Sequence, residues 1–126
     1  MSRKIIATSA APATPPSYSQ AVIAAGLVFV SGTAPIDPST GQLVKGPVQA
    51  QVAQCLRNIS AILAAAGSRL EKAVSATLIV ADEEDFARAN EEWLKWFPIN
   101  PPARQGAKMP VRIPDMKVSI AMIAEA

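Results

Sequence analysis

The chain contains no histidine. That removes the commonest general base and the commonest metal ligand, so any acid–base chemistry must come from other groups. It has a single cysteine, Cys55, so no intrachain disulfide is possible and thiolate–imidazole metal sites are excluded; a reducing, cytoplasmic setting is the expectation. Aromatic residues make up only 5% of the chain, and the positive charge is no richer than the mix of 12 Lys and Arg against 10 Asp and Glu allows. No run of basic residues forms a stripe that could follow phosphates, which argues against nucleic acid as a partner. Long hydrophobic runs are also missing. Residues 5–36 carry no charge, but Pro12, Pro15, Pro16 and Pro35 break the stretch. Its continuous apolar part, residues 21–30, is too short to span a bilayer and lies too far along the chain for a usual signal core. No membrane partner is expected.

What is present is the length of one domain, residues 1–126, half of it apolar and much of that alanine. Alanine buries little area per residue. An alanine-rich, aromatic-poor chain is expected to bury part of its apolar surface against copies of itself.

The patterning gives the element order β-β-β-α-β-α-β. Residues 4–8 read as a short strand, followed by a proline-rich extended loop over 10–17. Residues 19–24 and 27–31 read as a hairpin turning at Ala25-Gly26, and residues 37–41 as a tight turn. Val52, Cys55, Leu56, Ile59, Ile62 and Leu63 recur at steps of three and four, placing a helix over 47–66 that Gly67 ends. Residues 73–80 form a central strand. Asp82 caps a second helix whose inner face carries Phe86, Ala89, Asn90, Trp93 and Phe97 and which Pro98 stops. Residues 99–104 are a proline-rich approach to a final strand over 117–124. The expected architecture is an α+β sandwich, one mixed sheet with two helices on one face.

Few residues invite a chemical role. Cys55 lies on the apolar stripe of the first helix and reads as buried and inert. Glu83, Glu84 and Asp85 complement a helix N-terminus. Trp93, Trp96 and Phe97 read as anchors of the second helix on the sheet. Arg104 stands out because it follows Pro101 and Pro102, and a stiffened backbone aims a guanidinium well for a bidentate grip on a carboxylate or phosphate. Tyr18, the one tyrosine, follows the proline loop.

Several segments in order resemble the RidA/YjgF group, also described as endoribonuclease L-PSP. They are Tyr18-Ser19-Gln20-Ala21-Val22, Val28-Phe29-Val30-Ser31-Gly32, Ile36-Asp37-Pro38 with Thr40-Gly41, Ala65-Ala66-Gly67-Ser68, Asp85-Phe86-Ala87 with Asn90, and Phe97-Pro98 with Pro102-Ala103-Arg104. The resemblance implies a chorismate-mutase-like fold and a homotrimer in which three sheets form a central barrel, with ligand pockets between subunits. It also implies hydrolysis of reactive 2-imino or enamine acids to 2-keto acids and ammonia without a cofactor, the partner being a small carboxylate. Carried over by position, Arg104 would bind the substrate carboxylate, with Tyr18, Gly32, Asn90 and Gly106 lining the pocket. Where active members carry a water-positioning Glu on the final strand, the ungapped alignment places Ser119, so Arg104 and Ser119 are the catalytic candidates. A hydroxyl can hold water but cannot act as a carboxylate. The alternative is therefore a trimeric binder of small carboxylic acids without turnover. Ribonuclease or chaperone-like roles are disfavoured by the missing histidine and the unremarkable charge.

Overall fold

The computed structural model describes residues 2–110 and 113–126. One six-stranded sheet runs in the order β1-β2-β3-β8-β6-β7, with β1 Lys4–Ile6, β2 Ala21–Ala24, β3 Leu27–Thr33, β6 Ala73–Val80, β7 Ala103–Lys108 and β8 Val118–Glu125. Every pairing is antiparallel except β6 with β7, so the sheet is mixed. Helices α1 Val48–Ala65 and α2 Phe86–Trp96 cover one face. The α+β architecture expected from the sequence is the one observed.

Alternation decides which face the helices cover. Val28 and Val30 on β3, Ala76, Leu78 and Val80 on β6, and Val118, Ile120, Met122 and Ala124 on β8 are all buried beneath them. Their period of two is that of a strand with one apolar face. The stripe on α1 packs onto this layer, and Val52, Cys55, Leu56, Ile59, Ile62 and Leu63 are buried as their spacing predicts. Gly67, at φ +80°, ends the helix: the Ser68 N–H reaches Leu63 O at 2.8 Å and the Gly67 N–H reaches Ala64 O at 3.0 Å. That is the Schellman arrangement, which glycine adopts without steric cost.

Three corrections concern the elements. The proline-rich stretch over 99–104 carries no strand signal, yet residues 103–108 form the parallel edge strand β7. All six of its residues are exposed, so there was no apolar alternation to detect. A two-stranded ribbon, β4 Ile36–Asp37 with β5 Gln42–Leu43, also went unread because each strand is only two residues long. Its turn was legible: Asp37 Oδ1 accepts from the Ser39 N–H at 2.9 Å, and the Gly41 N–H donates to Asp37 O at 2.8 Å. Asp82 caps a single 3-10 turn over Glu83–Asp85, accepting from the Glu84 N–H at 3.1 Å, and α2 starts only at Phe86.

The helical layer also contains buried amides that an apolar stripe does not announce. Gln51 is fully buried, its Nε2 donating to Val44 O at 3.0 Å and Asp115 O at 2.8 Å while its Oε1 accepts from the Lys117 N–H at 2.7 Å. It ties the start of α1 to the segments leading into α1 and β8. Gln51→Ala leaves those backbone groups unpaired in a dry site, and each such loss costs about 1–3 kcal/mol. Urea unfolding should therefore show a loss of about 3 kcal/mol with an unchanged m-value.

Candidate functional site

The structure gathers the candidate residues other than Gly106 into two groups rather than one. The first surrounds Tyr18. Gln20, itself buried, clips the proline-rich loop to β2: its Nε2 donates to Thr8 O at 3.0 Å and Pro12 O at 2.9 Å, and its Oε1 accepts from the Thr8 N–H at 2.7 Å. On the other side of Tyr18, Ser31 Oγ donates to Ser19 O at 2.6 Å. Held at both ends, the loop closes a small cleft of about 80 Å3 lined by Pro12, Tyr18, Gln20, Ser31, Gly32 and Thr33, among others. Tyr18 remains 50% exposed at its lip.

Gly32 sits in a register break. On β3, Val30 faces Met122 and Thr33 faces Ile120, so β3 spends one more residue than β8 between these pairs. Such a bulge re-aims the chain locally. A Cβ on Gly32 would lie 3.5 Å from Ser119 Oγ, so Ser119 borders the same end of the sheet as Gly32. The open face there carries Phe29, Ile79, Ser119, Ala121 and Ile123, with no helix over it.

The second group surrounds Arg104. Position 104 pairs with buried Ala76, so its side chain leaves the sheet on the helix side. Its Nη2 donates to Asn90 Oδ1 at 2.7 Å, and its guanidinium carbon lies 5.2 Å from the Trp93 ring centroid. Trp93 is in turn fixed against Phe97, with ring centroids 4.6 Å apart. The cation therefore has an amide acceptor on one nitrogen and an aromatic platform beneath it, an attraction of about 0.5–2 kcal/mol. Partial burial lowers the Arg104 pKa, yet a guanidinium stays charged at any physiological pH. Among the described residues no carboxylate pairs with it; the ion pairs present are Lys45–Asp115, Arg69–Glu71 and Lys95–Glu92. The surrounding cleft, lined by Asn90, Trp93, Leu94, Pro101, Pro102 and Arg104, measures about 340 Å3.

Arg104 and Ser119 are not neighbours in this chain. Ser119 pairs with Ile79 on the open face, whereas Arg104 pairs with Ala76 on the helix face. Their strands flank β6 on either side, roughly 10 Å apart across the sheet, and their partners are three residues apart along it. Gly106 joins neither group. A Cβ there would stand 2.8 Å from the Phe86 ring, so the missing side chain lets Phe86 pack against β7. From the sequence Trp93 has only an anchoring role and Gln20 has none. The i, i+3 spacing of Asn90 and Trp93, both on the face toward β7, was the available signal for the first. A lone amide beside a proline loop was a weak one for the second.

Cys55 is fully buried, its Sγ 3.3 Å from Thr33 O, and burial pushes its thiol pKa far up. A raised pKa keeps the thiol neutral across the physiological range. A thiol-specific reagent at pH 8 should leave the native protein unmodified and label one thiol per chain after unfolding; native labelling at the rate of an exposed thiol would contradict this burial.

No helix of the described residues is long and apolar enough to cross a membrane. The endoribonuclease L-PSP family model matches residues 8–126. The rat protein named 2-iminobutanoate/2-iminopropanoate deaminase is 40% identical over 122 residues, covering 97% of this chain and 89% of its own. Among solved structures, RidA from an Antarctic Psychrobacter superposes with a TM-score of 0.91 at 34% identity, covering 98% of this chain and 99% of that one. Escherichia coli TdcF, solved with bound serine, superposes with a TM-score of 0.89 at 33% identity, covering 98% of each chain. A family model spanning nearly the whole chain, together with relatives and structures aligned end to end, shows that the chain belongs to the RidA/YjgF family, described as endoribonuclease L-PSP.

Proposed function

We propose that the chain hydrolyses reactive 2-imino acids to 2-keto acids and ammonia at a site completed between copies of itself. The observation that carries this is Arg104: a guanidinium fixed by Asn90 and Trp93, open to a cleft and without a carboxylate partner among the described residues. Such a group binds a substrate carboxylate with charge-assisted hydrogen bonds. The rat relative's name supplies the reaction class, and the serine in TdcF indicates that a family member accommodates a small amino acid.

The proposed assembly is supported by what one chain leaves open. The edge of β7 presents unpaired backbone groups, and the face opposite the helices is uncovered. A homotrimer packing these open faces around an axis would bring Tyr18, Gly32 and Ser119 of one copy toward Arg104 of another. In the reaction, a water oxygen bonds to the imine carbon, whose electron pair moves to nitrogen. Proton transfers within the resulting carbinolamine then let the C–N bond break, releasing ammonia and leaving the keto acid. Orienting the acid and one water at an already electrophilic carbon is the contribution asked of the protein. Ser119 Oγ is the hydroxyl assigned to hold that water.

No carboxylate, imidazole or thiol is among the described residues lining either cleft. This favours one second reading, a binder of small carboxylic acids without turnover. The two separate when 2-iminopropanoate is generated in solution and its decay followed by semicarbazone trapping. Hydrolysis predicts faster decay than in buffer, a drop in kcat/KM of about 100-fold in Arg104→Ala, and only partial recovery in Arg104→Lys, which lacks the planar fork. Decay at the buffer rate alongside saturable binding of pyruvate would leave the binder.

A further inference from the structure

We propose that the cleft beside Trp96 is a second ligand site, separate from the Arg104 cleft, that takes an apolar monoamine in its cationic form. The site does not depend on the hydrolase reading, since it uses different walls and the opposite charge. It lies between the 3-10 turn Leu70–Lys72, which leads into β6, and the segment that follows α2. Its volume is about 360 Å3, within the range of small-molecule sites. Leu70, Trp96, Phe97, Ile99 and Pro102 supply apolar walls. Leu70 and Phe97 are buried, whereas Ile99 is 77% exposed. Trp96 Nε1 donates to Glu92 Oε2 at 2.9 Å, which fixes the indole, and Phe97 packs on the Trp93 ring. Asn100, at φ +50°, takes the left-handed region that asparagine tolerates better than most residues, and Pro101 and Pro102 stiffen the chain beyond it. A cleft of fixed shape loses little freedom when it is filled.

Charge selects the class of ligand. Among the described residues, Glu71 is the one charged side chain lining this cleft. Arg69 lies 3.8 Å from it, but both side chains are well exposed, and such a pair is too weak to withhold the carboxylate from another cation. The other nearby cations are engaged elsewhere: Lys72 Nζ donates to Ala126 O at 3.5 Å, and Lys95 Nζ lies 3.5 Å from Glu92. An ammonium on an apolar body therefore meets Glu71 while the body covers Trp96 and Ile99. A carboxylate in the same place would face Glu71 with no cation lining the cleft. Pro102 lines both this cleft and the Arg104 cleft, so two sites of opposite charge stand on either side of one wall.

The test titrates 2-phenylethylamine into the whole protein at neutral pH, by calorimetry and on the indole N–H signals of its two tryptophans, assigned with Trp96→Phe. Saturable binding with a Kd of about 0.1–1 mM is expected. It should shift the Trp96 signal more than the Trp93 signal and persist in Arg104→Ala. Ethylamine, which lacks the ring, should bind about a hundredfold more weakly. Glu71→Gln, an exposed change, should weaken 2-phenylethylamine about fivefold, and Ile99→Ser about threefold. In Arg104→Ala, 3-phenylpropanoate should not bind, since it carries the same body with the wrong charge. No saturation by about 10 mM, equal affinities for the amine and the acid in Arg104→Ala, undiminished binding in Glu71→Gln, or a shift confined to Trp93 would overturn the inference. None of these outcomes bears on hydrolysis, which turnover of 2-iminopropanoate by the unaltered protein reads separately.

Discussion

The strict alternation of side chains along β6, β7 and β8 constrains everything else in this molecule. It sends Ala76, Leu78, Val80 and their neighbours on β8 into the core beneath the helices. By the same rule Arg104 emerges toward α2 and Ser119 toward the open face. A one-residue slip would exchange these faces and destroy the core, so burial of the apolar layer also fixes the separation of the two polar residues. The consequence is a chain with two incomplete clefts. One has a tyrosine and a bulged glycine, with Ser119 close to that glycine; the other has a clamped cation. An assembly that joins them needs no rearrangement of the core, only the covering of a face and an edge that the chain leaves free.

The chemistry proposed for a joined site is economical because a 2-imino acid is already reactive. An imine carbon accepts water readily, so orientation matters more than a strong base. On that proposal the clamp on Arg104 serves orientation: Asn90 fixes one nitrogen and Trp93 supports the plane. The Tyr18 side is fixed with equal care by Gln20 and Ser31. Both devices are rigid, as a site that works by placement requires.

Much of this was readable from the residues, and the losses have physical causes. The stripe on α1 and the alternation on β6 and β8 were legible because burial imposes a period on them. β7 was not, since an edge strand exposed along its whole length has no burial pattern to impress on its sequence. The bulge at Gly32 was hidden for a related reason: a register shift is a property of two strands together. Arg104 was identified from its prolines, but its face depends on pairing with Ala76, which no local pattern encodes. Gly106 illustrates the opposite case, a position whose meaning lies in the Phe86 ring packed over it.

Complementation between copies tests the shared site most directly. Arg104→Ala and Gly32→Leu each disable one cleft, and either variant alone should hydrolyse 2-iminopropanoate at about a hundredth of the wild-type rate or less. Unfolded together and refolded at equal amounts, they should regain about a quarter of the wild-type rate, the fraction of intact junctions that random mixing around a closed ring provides. Mixed assemblies that form yet remain inactive would contradict a site built from two chains.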